Sequence, residues 1–316
     1  MAKLTVYLTV SVLALTISGI AAEVQDWSHV SENKQKEYAY GQSARTKWLE
    51  KLPADSQVAL DVPYVADAVL KGSLPGSTQT LDLYVPPGAG PFPLIVWIHG
   101  GAWKGGNKEQ QGTELAARWL PEGFAVASLN YRFVFDAQFP GMFQDAVDAI
   151  HFLREHAARY RLNPAKVGVI GMSAGAHIAG VAATADGHPA YRNNKQPVQA
   201  AVLLCGFYDM ASGFSFNPRD DFANLYPDKK PDLEIAKNMS PVCLIHDGIP
   251  PILLVHGDLD LKIAPPEQTQ RFYDALQKAG KPVKLTNYPD YDHNLWKPDV
   301  LNEALMFFKE HLSSGR

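Results

Sequence analysis

One stretch constrains this chain more than any other. In KVGVIGMSAGAHIAG, Lys166 to Gly180, an apolar run meets a serine held between two glycines and then becomes alanine-rich helical sequence. Gly171-Met172-Ser173-Ala174-Gly175 reads G-x-S-x-G, with β-like residues before it and helix-like residues after it. At such a turn the serine backbone is strained, and the residues two before and two after it approach so closely that only glycine or a very small side chain fits. The turn lifts Ser173 Oγ clear of a sheet and opens a helix whose N-terminus carries partial positive charge. The pentapeptide alone fits a plain strand-to-helix turn capped by a serine equally well, so its meaning depends on its surroundings.

Strand-like and helical runs alternate along those surroundings. TLDLYV (80–85), PLIVWIHG (93–100), FAVASLNYRF (124–133), KVGVIGMS (166–173), QAAVLLCGFYD (199–209), PILLVHGD (251–258) and VKLTNYP (283–289) read as strands. Helices are expected over about 108–120, 141–160, the segment after Ser173, 266–280 and 298–312; in the second of these Phe143, Val147, Ile150 and Leu153 recur at helical spacing. This order implies a mostly parallel, twisted α/β sheet with helices on both faces. With 316 residues, 46% of them apolar, one sizeable core suffices.

The alternation stops from about 210 to 250, where Pro, Asp and aromatics crowd a segment that reads as a lid-like insertion. Residues 57–316 are therefore expected to form one catalytic domain carrying this insertion, preceded by a polar N-terminal arm at 23–56 whose stretch SENKQKEYAYGQSARTKWLEKL (31–52) is helix-compatible and has no catalytic content. Residues 1–22 have one positive charge at Lys3, an apolar stretch and small residues closing at Ala21 and Ala22, the pattern of a cleaved signal peptide. A secreted or periplasmic protein, with no membrane segment once the leader is removed, is the expectation. A net charge of −4 argues against nucleic-acid partners and favours small neutral substrates. The two cysteines, Cys205 and Cys243, lie in apolar stretches and read as buried free thiols in preference to a disulfide.

Two further places offer chemistry. His99-Gly100-Gly101-Ala102-Trp103 closes a strand and can bring the backbone N–H groups of Gly101 and Ala102, joined by that of Ala174, to an oxyanion. A phosphate loop is excluded because Asn107 follows Gly106 where Lys-Ser/Thr is required. His99, ahead of the serine among glycines, orders this loop. A base and an orienting acid should follow the serine in the order acid, then histidine, on loops at the same sheet edge. Asp258 and Asp260 follow one strand and His293 follows the next. Asp260 is preferred because it lies past the turn, within reach of an imidazole on the neighbouring loop. His293 alone among the ten histidines combines this chain order with a loop just after a strand. No H-E-x-x-H and no close ligand cluster suggests a metal.

With HGGAW (99–103), NYR (130–132), GMSAG (171–175), HGDLD (256–260) and DH (292–293) assembled, the chain resembles the α/β-hydrolases. Within that fold it is similar to carboxylesterases of the hormone-sensitive-lipase-like and feruloyl/acetyl-xylan-esterase-like groups, over roughly residues 61–312. The resemblance implies Ser173 as nucleophile, His293 as base, Asp260 as orienting acid, a lid-like insertion after the sixth strand and no cofactor. Ala102 replaces the third glycine of the frequent H-G-G-G loop, an exchange that keeps the backbone donor.

The expected substrate is a small-molecule or polysaccharide-linked ester, with feruloyl and acetyl esters of plant polysaccharides both open. Trp103, Phe207 and Trp296 are candidates to line an acyl pocket, among loop aromatics that include Phe133, Phe135, Phe139, Tyr208, Phe214 and Phe216. A peptidase or formamidase would use the same triad on an amide. A non-catalytic binding protein of this fold would normally lack a triad member. These motifs carry no oligomeric state.

Overall fold

The computed structural model describes residues 30–192, 194, 198–212 and 220–313. The leader at 1–22, the start of the arm and two candidate pocket residues, Phe214 and Phe216, lie outside the described residues. Eight strands form a single sheet: β1 (Gln57–Pro63), β2 (Thr80–Val85), β3 (Phe92–Ile98), β4 (Ala125–Leu129), β5 (Leu162–Met172), β6 (Ala200–Leu204), β7 (Ile252–Gly257) and β8 (Val283–Tyr288). Their order is β1-β2-β4-β3-β5-β6-β7-β8. The first two strands pair antiparallel with their neighbours, and the rest of the sheet is parallel.

Helices α2 (Gly112–Trp119), α3 (Gly141–Glu155), α4 (Ala174–Thr184), α7 (Pro266–Lys278) and α8 (Pro298–Leu312) cover the sheet, and α1 (Glu32–Leu49) precedes it. The connection from β3 to β4 runs one way across the sheet, whereas those into β5, β6 and β8 run the other way. Right-handed crossovers then put α2 on one face and α3, α4 and α7 on the opposite face. Trp119 of α2 meets Phe308 of α8 with ring centroids 5.9 Å apart, so α8 joins the α2 layer. β2, β4, β6 and β7 are wholly buried, and β3 and β5 are buried through their C-terminal halves, because both faces of the sheet are covered.

The chain reverses its direction of winding between β3 and β5, and in open α/β sheets a crevice forms at the carboxyl ends of strands at such a point. The loop after β3 and the turn after β5 both emerge there. Several elements are shorter than the apolar pattern suggests: α2 spans 112–119, β4 spans 125–129 and α3 stops at Glu155. Asn130 and Tyr131 leave the strand to bond loop and backbone partners, with Asn130 Oδ1 accepting from the Lys108 N–H at 2.8 Å.

Strand β1 is an addition to the expected order, whereas α1 occupies the helix-compatible stretch of the N-terminal arm. β1 carries a register shift between Ala59 and Val62, and Asp61 within it has φ 54°, so alternation of apolar residues is broken. The irregularity delivers Asp61 to a buried charge cluster. Lys108 Nζ, 1% exposed, sits 2.5 Å from Asp61 Oδ1, 3.0 Å from Glu109 Oε1 and 3.1 Å from Asp82 Oδ1. Arg45 of α1 approaches Asp82 at 3.3 Å and Glu109 at 3.7 Å. Burial pushes the Asp82 carboxyl up while the two cations oppose the shift. Removing one partner of a buried ion group leaves uncompensated charge. Lys108→Met is expected to lower unfolding stability by about 3–5 kcal/mol, read as a fall in the urea midpoint at unchanged m-value; a shift under about 1 kcal/mol would mean that the acidic groups relax to water.

The segment between β6 and β7 holds α5 (Asp220–Ala223), α6 (Leu233–Asn238) and two 3₁₀ turns at Pro227–Lys229 and Pro241–Leu244. It is anchored at both ends, by Val242 N–H donating to Tyr208 O at 3.1 Å and Met210 N–H donating to Ser240 Oγ at 2.7 Å. Cys205 is buried and Cys243 is exposed, both free. The expectation of two buried thiols therefore fails at Cys243, which lies on a 3₁₀ turn whose neighbours Pro241 and Leu244 take the buried positions.

Candidate active site

Ser173 stands between β5 and α4 with φ 58° and ψ −123°, a conformation strained for any residue with a side chain. Two glycines make it possible. A Cβ at Gly171 would be driven into the Gly175 carbonyl, and one at Gly175 into the carbonyls of Ile98 and His99. The turn is fixed from the next strand, since Ser173 N–H donates to Leu204 O at 2.8 Å. The close approach to β3 also brings the second candidate loop to the serine: a Cβ at Gly100 would lie 2.9 Å from Met172 O and 3.3 Å from Ser173 Cβ.

In that loop Gly101, Ala102 and Trp103 have φ of 124°, 51° and 59° in succession. These values place three consecutive left-handed turn residues at the carboxyl end of β3, next to the serine turn. Among the described residues, no acceptor is bonded to the N–H groups of Gly101, Ala102 or Ala174. His99 is buried, stacks on Tyr131 with ring centroids 4.5 Å apart, and its Nδ1 lies 2.7 Å from Gly100 O. Burial pushes it down to about 4, so it is neutral and structural.

Asp260 and His293 follow β7 and β8 at the same edge. His293 Nδ1 lies 2.5 Å from Asp260 Oδ2. Asp260 Oδ1 accepts from Ile263 N–H at 3.2 Å and Ala264 N–H at 3.3 Å. Burial alone would raise the Asp260 carboxyl; the His293 hydrogen bond and charge, with the two amides, outweigh it and hold the group below the usual carboxylate value. Asp258, the other candidate acid, is exposed. His177, one turn after the serine, is wholly buried, with Nε2 2.6 Å from Met239 O, and burial pushes it down to about 4.

Cys205 is the neighbour that motif reasoning left aside. It immediately follows β6, the strand beside β5, and its Sγ donates to His293 O at 3.3 Å, with burial pushing the thiol well up. The only signal available in the sequence was its place at the end of the strand after the serine. The donor atoms of Cys205, Asp260 and His293 lie within 4.8 Å of one another, a grouping that sequence spacing could not reveal because it assembles across three strand ends. Asp260 and His293 are already hydrogen-bonded to each other there.

The proposed pocket aromatics divide. Trp103 and Phe207 are 2% and 3% exposed, with ring centroids 5.4 Å apart, and Phe222 of the insertion packs 5.4 Å from Trp103 and 5.3 Å from Phe207. Trp296 is not with them. Its ring lies 4.8 Å from Trp97 and its Nε1 donates to Glu114 of α2 at 3.1 Å, which assigns it to the α2 layer on the other face of the sheet. The turn after His293 directs the chain into α8, and Trp296 is carried there with it.

A family model described as BD-FAE matches residues 81–276, more than half of the chain. The chain belongs to the BD-FAE family. Its fold is that of the α/β-hydrolases, and its relatives are carboxylesterases. Esterase LipQ of Mycobacterium tuberculosis is 28% identical over 239 residues, which cover 69% of this chain and 54% of LipQ. The probable isoprenylcysteine alpha-carbonyl methylesterase ICMEL1 of Arabidopsis thaliana is 27% identical over 248 residues, covering 73% and 51%. The chain thus spans about half the length of the curated relatives it matches. A truncated form of a carbohydrate esterase from gut microbiota superposes with a TM-score of 0.69 at 27% identity, covering 80% of this chain and 95% of that one. The BD-FAE match runs from β2 into α7, so it includes Ser173 and Asp260 and stops before His293.

Proposed function

We propose that this chain is a serine carboxylesterase. Ser173 Oγ attacks the ester carbonyl carbon and passes its proton to His293 Nε2, the ring nitrogen left free by the Asp260 contact. The tetrahedral oxyanion takes hydrogen bonds from Gly101, Ala102 and Ala174 N–H. Collapse breaks the bond to the alcohol, which leaves with the proton from His293. Water, deprotonated by the same imidazole, then releases the acid and restores the serine. The observation that carries this reading is the strained Ser173 turn on the same sheet edge as a 2.5 Å His293–Asp260 pair, with Cys205 between them donating to His293 O.

The substrates in this proposal are acetyl and other short acyl esters of carbohydrate alcohols. The likeness to a carbohydrate esterase supports the alcohol. Trp103 and Phe207 are buried and packed against each other and against Phe222, which supports a small acyl group over a feruloyl ring at these two side chains. Action outside the cell, after removal of residues 1–22, belongs to the same proposal.

The test is kcat/KM for acetyl, butyryl, octanoyl and feruloyl esters of one alcohol, with the matching acetanilide. Acetyl and butyryl esters are expected to exceed octanoyl and feruloyl by about tenfold or more. Feruloyl as the best substrate would overturn the acyl assignment, and an amide hydrolysed faster than its ester would replace the esterase reading with an amidase one.

A further inference from the structure

Helix α1 fully buries Gly41 alone and brings Leu49 at its end against the core, so it carries no continuous apolar face. Its polar side chains are instead aimed at one loop. We propose that Glu37 is a positioning residue that holds the oxyanion-donor loop in shape, a role resting on the serine-esterase reading above.

The loop from Gly100 to Lys108 is folded on itself. Gly106, at φ 87°, lies so close to the Gly100 carbonyl and the His99 ring that a Cβ would strike both, and Gly101 lies equally close to the Gly105 carbonyl. Lys104 N–H donates to Gly101 O at 3.0 Å. The place of the Gly105-Gly106 peptide therefore sets where Gly100, Gly101 and Ala102 lie. That peptide is held from outside by α1: Gly106 N–H donates to Glu37 Oε1 at 3.0 Å. The other carboxylate oxygen is fixed by Lys34 Nζ at 2.7 Å, and a Cβ at Gly105 would strike that ammonium.

The next turns of α1 continue the attachment. Gly41 gives room to the Asn107 side chain, which a Cβ there would strike, and Gln42 Nε2 donates to Glu109 Oε1 at 3.1 Å. Beyond them Arg45 enters the Lys108 charge cluster. Gly106 can take no side chain of its own to brace the loop, since its Cβ position is filled, so an external acceptor is the available device. Catalysis is sensitive to such bracing because donors must meet the oxyanion within a few tenths of an ångström.

The experiment uses the full chain as wild type, Glu37→Ala, Glu37→Gln and Ser173→Ala, with p-nitrophenyl acetate as substrate and a trifluoromethyl ketone as transition-state mimic. Glu37→Ala is expected to lower kcat by about ten- to a hundredfold, with KM within about twofold and the ketone Ki raised by the kcat factor. Amide hydrogen exchange over residues 100–107 should quicken in it. Glu37→Gln keeps an acceptor for Gly106 and is expected within about threefold of wild type.

Unchanged kcat in Glu37→Ala, a loss confined to KM, or Glu37→Gln as weak as Glu37→Ala would overturn the proposal. Should Glu37→Ala not fold, Glu37→Ser, whose hydroxyl is too short to reach the Gly106 N–H, must still lower kcat, and an unaltered kcat would overturn the role. Failure of the esterase reading looks different: wild type and Ser173→Ala are then equally inactive. Exchange over 100–107 decides in that case, and protection as high in Glu37→Ala as in wild type would refute the brace.

Discussion

Ser173→Ala is expected to lower kcat for acetyl esters by about 10⁴- to 10⁶-fold while the protein stays folded. The separation of the two effects follows from how the residue is held. Its recorded structural bonds are made by backbone atoms: Ser173 N–H donates to Leu204 O at 2.8 Å, and Ser173 O accepts from His177 N–H at 3.1 Å. Alanine keeps both. It also bears the φ 58° conformation at no greater cost than serine, because each presents a Cβ to the same backbone. What disappears is the only group at the turn able to form an acyl bond. The N–H groups of Gly101, Ala102 and Ala174 remain, and donors of this kind with substrate binding sustain a residual rate about 10³- to 10⁴-fold above water. The measurement pairs kcat with a thermal melt. A variant that melts within a few degrees of wild type and keeps more than about a tenth of its turnover would exclude Ser173 as nucleophile.

The parts of this site that could be read in the sequence are those tied to local geometry. G-x-S-x-G at the end of an apolar run has one way to fold, and an acid and a histidine on the next strand ends meet because parallel strands deliver their loops to a common edge. What escaped the sequence depends on contacts between distant segments. Strand β1 lost its alternation to the bulge at Asp61, whose purpose is visible only once Lys108 and Asp82 are beside it. Helix α1 carries no apolar stripe, so periodicity gave no hint that Glu37 and Arg45 meet the loop after β3. Trp296 follows His293 by three residues and still ends on the opposite face, because the chain turns into α8 between them. An aromatic close to a candidate base in sequence is thus weak evidence for a pocket, whereas neighbouring strand ends do bring an acid and a histidine into contact.

Asp260→Asn is expected to lower kcat by about 10⁴-fold, and Asp258→Asn to leave it within about twofold. Both carboxylates follow β7, so the contrast tests geometry against mere proximity. Asp258 is exposed, whereas the Asp260 side chain is 1% exposed and pinned: Oδ1 accepts from Ile263 and Ala264 N–H, and Oδ2 faces His293 Nδ1. In the asparagine variant the amide oxygen stays with the two backbone donors, which turns the NH₂ group toward His293 Nδ1. That nitrogen must then act as acceptor, so the ring proton moves to Nε2 and the imidazole cannot take the serine proton. Stability should change in a second, independent direction. The folded Asp260 carboxyl titrates below its unfolded value, so it adds stability above the unfolded value, near 4, which is lost as pH falls through the depressed folded one. Asp260→Asn removes this contribution, and its melting temperature should fall less steeply than that of wild type between about pH 5 and pH 3. Parallel acid profiles with full loss of turnover would leave Asp260 orienting the base without being held ionised by it, whereas retained turnover would return the search for the acid to Asp258.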